Sequence, residues 1–219
     1  MPHFIEVSHP VVAGMKTYPG LPEPRVEVFM DYQQSRAKYT HGTEFFIASL
    51  HLCGNTGTYV DSPLHRYPYG ADLAALPLEK LAHLPVEVID RSDTFGRGIG
   101  PVALRGRNLA GKAVLFHTGW SRHWATERYF EPNPYLTAEC CEALLAAGAS
   151  FVGIDSLNID DIEDLSRPAH TLLLGAGVPV CEHMTNLHAL PPRGGGHLHA
   201  VPIAWQGGAT FPVRAYVMF

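Results

Sequence analysis

Short apolar runs bounded by glycine and proline constrain this chain more than any other feature of it. VEVFM at 26 to 30, EFFIASLHL at 44 to 52, VEVID at 86 to 90 and AVLFHTGW at 113 to 120 are rich in β-branched and aromatic residues. FVGID at 151 to 155, VPVCE at 178 to 182, VPIAW at 201 to 205 and VRAYVMF at 213 to 219 continue the pattern. Each is read as a strand. Helical periodicity is clearest from Thr137 to Ala147, where Thr137 can cap the first turn, Gly148 can end the helix, and Leu144 and Leu145 would face a sheet. Shorter helices are expected around Asp72 to Leu81, Ser121 to Arg128 and His170 to Leu174, the last stopped by Gly175 and Gly177. Many strands with interleaved helices predict an α/β or α+β domain. TYPGLPEP at 17 to 24 and LPPRGGGHLHA at 190 to 200 are loops by composition and too short to separate domains.

A chain of 219 residues holds one substantial core, so a single domain over residues 1–219 is expected. The formal charge is −5 and the basic residues are dispersed, which excludes the electrostatic footprint of a nucleic-acid binder. No apolar run approaches the roughly 20 residues that span a bilayer, and the opening MPHFIEVSHPVVAGM lacks a basic segment followed by an apolar one. No membrane partner and a cytoplasmic location follow by default. Cys53, Cys140, Cys141 and Cys181 have no metal-site spacing and are read as reduced thiols. The 13 histidines permit metal or proton chemistry without requiring it.

Two segments concentrate the chemistry. In NTGTYVDSPLH, residues 55 to 65, Asp61, Pro63 and His65 occupy alternate positions, so extended backbone would put Asp61 and His65 on one side. The pair either binds a metal or moves a proton, or else Asp61 caps a turn and His65 satisfies a backbone group. In PAHTLLLGAGVPVCEHMTNL, residues 168 to 187, a short helix and a glycine turn separate His170 from Glu182, and the following strand would bring Glu182 back beside His170. His51, Cys53 and His183 are weaker ligand candidates and are read first as structural residues.

The first segment resembles the HxGTHxDxPxH signature of the cyclase family of metal-dependent hydrolases, which includes kynurenine formamidases and isatin hydrolases. Gly57, Thr58, Asp61, Pro63 and His65 fall on it, while Asn55 and Tyr59 stand where the family has histidines. The second segment is similar to the family's second motif. SHPV at 8 to 11, PLEKL at 77 to 81, VLFHTGWSRHW at 114 to 124, VGIDSLNID at 152 to 160 and PVRAYVMF at 212 to 219 are similar to family blocks in the right order. The resemblance implies a swivelling β/β/α fold, an α/β architecture in which a mixed sheet is flanked by helices. It also implies a homodimer or homotetramer.

The resemblance further implies one divalent ion at the positions of Asn55, Tyr59 and Asp61, a second at Asp61, His170 and Glu182, and His65 as general acid or base. An amide oxygen is a weaker donor than imidazole, and a phenol of pKa near about 10 must lose its proton to ligate well. The first position is therefore expected to be empty. Asp61, His170 and Glu182 are expected to hold one divalent metal, zinc or manganese, or else the site works without one. Asn55 and Tyr59 then serve to hold a substrate carbonyl or carboxylate, Arg66 to pair with a carboxylate, and Trp120, with Tyr67, Tyr69 and Trp124, to line the pocket. The expected activity is hydrolysis of a C–N bond in an arylformamide or cyclic amide, with Asp61 and His65 catalytic. A metal-independent cyclase, isomerase or dehydratase using Asp61, His65, His170 and Glu182, and a noncatalytic small-molecule binder, are the alternatives.

Overall fold

The computed structural model describes residues 2–219. Its strands are β1 (Phe4–Glu6), β2 (Arg25–Met30), β3 (Ile47–His51), β4 (Tyr59–Asp61), β5 (Leu84–Asp90), β6 (Gly98–Ile99) and β7 (Ala113–His117). They continue with β8 (Tyr135–Leu136), β9 (Phe151–Ile154), β10 (Val180–Glu182), β11 (His197–His199), β12 (Thr210–Pro212) and β13 (Tyr216–Met218). The α-helices are α1 (Tyr32–Arg36), α2 (Ala138–Ala146) and α3 (Pro168–Gly175). Nine strands form one mixed sheet in the order β1-β13-β11-β5-β7-β9-β10-β4-β12. β5, β7, β9 and β10 run parallel in its middle, and antiparallel pairs flank them. This is the α/β mixed sheet that the family resemblance implies.

Alternation along the strands divides the core in two. Val86, Val88, Leu115, Phe151, Cys181 and Val217 pack on one face with Leu73, Leu81 and Met184. Ile89, Val114, Phe116, Val152, Ile154 and Val180 pack on the other against Cys140, Cys141 and Leu144 of α2 and Leu173 and Leu174 of α3. Strands covered on both faces read as continuous apolar runs, which is why the central ones stand out in the sequence. Thr137 caps α2 by accepting the Cys140 N–H, and Gly148 leaves the helix at φ 75°.

Several elements differ from the sequence reading. VPIAW at 201 to 205 is not a strand; Val201, Ile203 and Trp205 are exposed, and the neighbouring segments β11 and β12 take the pairing positions. The helix expected at Asp72 to Leu81 reduces to one 3-10 turn, Leu78–Lys80, after the extended Pro77. That expected at Ser121 to Arg128 becomes two 3-10 turns, Trp120–His123 and Glu127–Phe130, separated by Ala125 at φ 61°. The strand expected at 44 to 52 is confined to β3, and that at 113 to 120 ends at His117. Helix α1 was not expected, although Asp31 and Gln34 close a reciprocal capping box of the kind a sequence can display. Among the described residues no helix is long and apolar enough to cross a membrane.

Gly153 lies in β9 where a β-carbon would collide with Met184 Sδ and come within 2.8 Å of Leu115 Cδ2. Gly153→Ala should therefore lower the unfolding free energy by about 1–3 kcal/mol through overpacking, read as a reduced urea midpoint at unchanged m-value. An unchanged midpoint would mean that the methionine repacks at no cost.

Candidate active site

The site begins with a register. β4 and β10 are antiparallel, with Tyr59 opposite Glu182 and Asp61 opposite Val180. Because side chains alternate, Tyr59, Asp61 and Glu182 leave the strand pair on one face, while Val60 and Cys181 enter the opposite core. Helix α3 covers the first face and supplies His170, whose Nε2 lies 3.7 Å from Asp61 Oδ2 and 3.7 Å from Glu182 Oε1. One donor atom from each of Asp61, His170 and Glu182 lies within 4.8 Å of the others. The structure therefore brings together the three residues that the sequence singles out as metal ligands.

His65 reaches the same site by a route that the alternation does not predict. The chain is not extended from Asp61 to His65; it turns at Pro63 into the 3-10 turn Pro63–His65. The turn leaves His65 Nε2 3.9 Å from Asp61 Oδ1 with its side chain about one-third exposed. Upstream, Gly57 adopts φ 64° and donates its N–H to Thr17 Oγ1, while Thr58 donates its hydroxyl to the His183 carbonyl. These contacts of the motif residues hold the loop in place.

Asp160 fixes the imidazole of His170. Its carboxylate accepts the Ala169 and His170 N–H groups at the start of α3 and stands 2.6 Å from His170 Nδ1. This arrangement points Nε2 at Asp61 and Glu182. Burial opposes a charge on His170, yet Glu182, Asp160 and Asp61 outweigh it and raise its pKa well above the ordinary value. Burial pushes Glu182 up to about 7; the charge of His170 pulls against this and that of Asp61 adds to it. Both oxygens of Asp61 are buried without a hydrogen-bond partner. A desolvated carboxylate in that condition is costly, so the arrangement calls for a cation close to Asp61. Two carboxylates and one imidazole nitrogen are a donor set that fits a divalent ion.

Tyr59 and Asn55 are arranged differently. The Tyr59 hydroxyl donates to Glu182 Oε2 at 2.6 Å, and the Ile159 N–H donates to Glu182 Oε1 at 2.6 Å. Burial, the charges of Glu182 and Asp61 and that hydrogen bond push the phenol well above its ordinary pKa, with Asn55 opposing the shift. A phenol held protonated makes a poor metal ligand. The Asn55 Oδ1 accepts the Thr210 hydroxyl at 3.0 Å. A polar chain from Thr210 through Asn55 and Tyr59 to Glu182 thus runs through the two positions at which the family motif has histidines.

A cavity of about 390 Å³ opens over this group, lined by Asn55, Tyr59, His65, Arg66, His170 and Glu182 together with Tyr18, Leu21, Asn158, Leu165, Ser166 and Arg167. Trp120, expected to line it, does not: its indole N–H donates to the Tyr129 carbonyl and the ring stands apart. Tyr67 and Trp124 are likewise engaged elsewhere, Tyr67 with the Thr171 carbonyl and Trp124 stacked on His9, and Tyr69 is fully exposed. His183 contacts the Tyr129 hydroxyl at 2.9 Å, and His51 pairs with Glu27 at the surface. Asp160 and Arg167 are functional candidates that the sequence reading missed. Arg167 could have been noticed as the arginine directly before the Pro168 that opens α3, whereas a carboxylate ten residues before His170 carries no spacing signal.

Comparison with known proteins adds the family context. The sequence profile of the Cyclase family, described as "Putative cyclase", matches residues 5–161. The kynurenine formamidase of Salinibacter ruber is 32% identical over 177 residues, covering 77% of this chain and 78% of the relative. That of Bacillus cytotoxicus is 27% identical over 215 residues, covering 98% of this chain and 96% of the relative. Among solved structures, isatin hydrolase A from Labrenzia aggregata bound to benzyl benzoate superposes with a TM-score of 0.83 at 22% identity, covering 99% of this chain and 93% of that one.

Two outcomes follow from the charge arrangement. A cation competes with a proton for His170, whose pKa is raised, so affinity for a divalent ion should keep rising as the pH is taken above the ordinary imidazole range, measured by competition with a chelating dye. A flat profile would contradict the protonated imidazole. Replacing both residues, Asn55→His with Tyr59→His, should raise the divalent metal found by elemental analysis by up to about one further equivalent. Unchanged metal content would show that the polar chain is not what separates this site from the motif.

Proposed function

This chain belongs to the cyclase family, and from that premise we propose that it is a hydrolase that opens the C–N bond of a small aromatic carbonyl compound, an arylformamide or a cyclic amide. The kynurenine formamidases match it over most of their length, and the isatin hydrolase shares its fold. The observation that carries the reading is Asp61, a buried carboxylate with no hydrogen-bond partner beside His170 and Glu182. These three residues would hold a divalent cation, zinc or manganese. Bound there, such an ion acidifies water and polarises a carbonyl.

The remaining steps belong to the side chains. His65, partly exposed at the cavity and near Asp61, takes the proton of the attacking water. As the C–N bond breaks, His65 returns that proton to the departing nitrogen, so the water oxygen ends in the acyl product and the amine leaves neutral. Asn55, whose Oδ1 is taken by Thr210, offers its amide N–H groups to the substrate carbonyl, Tyr59 keeps its hydroxyl on Glu182, and Arg66 lies at the cavity wall to meet a charged substituent. Asp160 keeps the His170 ring in register throughout.

Our reading includes self-association as a homodimer or homotetramer. The β2–β3 ribbon exposes Val26, Val28, Phe29, Phe45, Phe46 and Ile47 on and beside its two strands. An isolated two-stranded ribbon is marginal in water, and a second copy would cover this apolar surface.

Purified protein should carry about one equivalent of divalent metal and turn over members of an arylformamide and lactam panel, with activity lost on chelation and restored by the ion. Less than about 0.2 equivalents with chelation-insensitive turnover would remove the metal from the proposal. His65→Ala should lower kcat by about 100- to 10,000-fold without changing the circular dichroism spectrum. Turnover equal to wild type would remove His65 from the proton path.

A further inference from the structure

Two arginines line the cavity without a carboxylate to pair with. Arg66 follows His65 at the end of the 3-10 turn, and its Nε donates to Thr171 Oγ1 at 3.1 Å. Arg167 precedes α3, and its Nη1 donates to the Asp161 carbonyl at 3.1 Å. Each guanidinium thus donates one hydrogen bond to the protein, and that of Arg66 also lies over the Tyr67 ring, 5.4 Å from its centroid. Among the described residues neither forms an ion pair, a condition they share with several other arginines, and what sets these two apart is their place on the wall of the cavity. Asp164 senses the charge of Arg167 only at longer range.

The backbone at Arg167 supports a role for its side chain. Its φ is 49°, the left-handed region, which costs a residue with a β-carbon about 1 kcal/mol or more and which glycine or asparagine would occupy more easily. The N–H groups of Ala169 and His170 that open α3 are already taken by Asp160, so these helix-end donors are not free for an anion, and the guanidinium groups are the charged donors on the cavity wall. Leu21, Leu165 and Tyr18 supply an apolar wall of the same cavity.

We propose that the cavity selects substrates bearing an anionic group, a carboxylate or a group of like charge, held by Arg66 and Arg167 while the scissile amide faces Asp61, His170 and Glu182. This rests on the hydrolase reading and narrows it to anionic aryl amides. Arginine suits the task because its planar fork matches a carboxylate bidentately and keeps its charge at every working pH.

The test compares a neutral probe, N-formylaniline, with its ring-carboxylated counterparts, and adds calorimetric binding of benzoate. In wild type the carboxylated probes should have the higher kcat/KM. In Arg66→Ala and Arg167→Ala the ratio of charged to neutral kcat/KM should fall about tenfold or more, with Arg→Lys variants recovering part of it. Benzoate affinity should fall in parallel and weaken with added salt. An unchanged ratio in both alanine variants, or benzoate binding unaffected by either, would overturn the anion clasp. Arginine-dependent benzoate binding without turnover of any formamide would instead overturn the hydrolase reading and leave the clasp standing.

Discussion

Everything at the site depends on the need for positive charge between Asp61 and Glu182. The antiparallel register of β4 and β10 forces the two carboxylates onto one face, and burial by α3 removes the water that would otherwise screen them. Two proton-bearing partners answer that need, His170 and the Tyr59 hydroxyl, while the oxygens of Asp61 are left without a hydrogen-bond partner. Asp160 contributes by aiming His170 and by closing the start of α3, so the helix and the charge arrangement are stabilised together. A slip of one residue in the register would turn Tyr59 and Asp61 into the apolar core and bring Val60 into the cavity. The fold and the chemistry are thus set by the same backbone hydrogen bonds.

The polar chain through Asn55 and Tyr59 shows how a motif can keep its geometry while changing its donors. Tyr59, at a position where the motif has a histidine, donates its hydroxyl to Glu182, and Thr210 on the edge strand β12 fixes the Asn55 amide. Gly54 is tied to this arrangement, because a β-carbon there would strike the side chain of Thr210 and lie 2.5 Å from its carbonyl oxygen. Strand order, side-chain identity and backbone space therefore agree at this point. That agreement makes the two departures from the histidine pattern an organised feature of the pocket.

Much of this was legible in the sequence, for reasons that differ by element. The central strands are apolar on both faces and announce themselves, and α2 carries both its cap and its terminating glycine. Asp61, His170 and Glu182 were found by their likeness to family motifs, and the return strand after α3 does bring Glu182 to His170. VPIAW has the composition of a strand, but which apolar segment wins a pairing position is decided by distant partners. Trp120 failed as a pocket residue because its indole N–H finds a carbonyl inside the fold, a contact invisible in one dimension. Asp160 was missed because its effect passes through His170, and Arg167 because its cavity is enclosed by loops far apart in the chain.

The position of β13 has a consequence for how the chain reaches this state. It lies between β1 and β11, pairing residues 4–6 with residues 216–218. β1 stands at the edge of the sheet with β13 as its neighbour, so it has no sheet partner until residues 216–218 are in place. Such long-range closure is entropically slow and leaves apolar edges uncovered in the interval. The edge of the sheet at β1 can thus close only once β13 stands between it and β11.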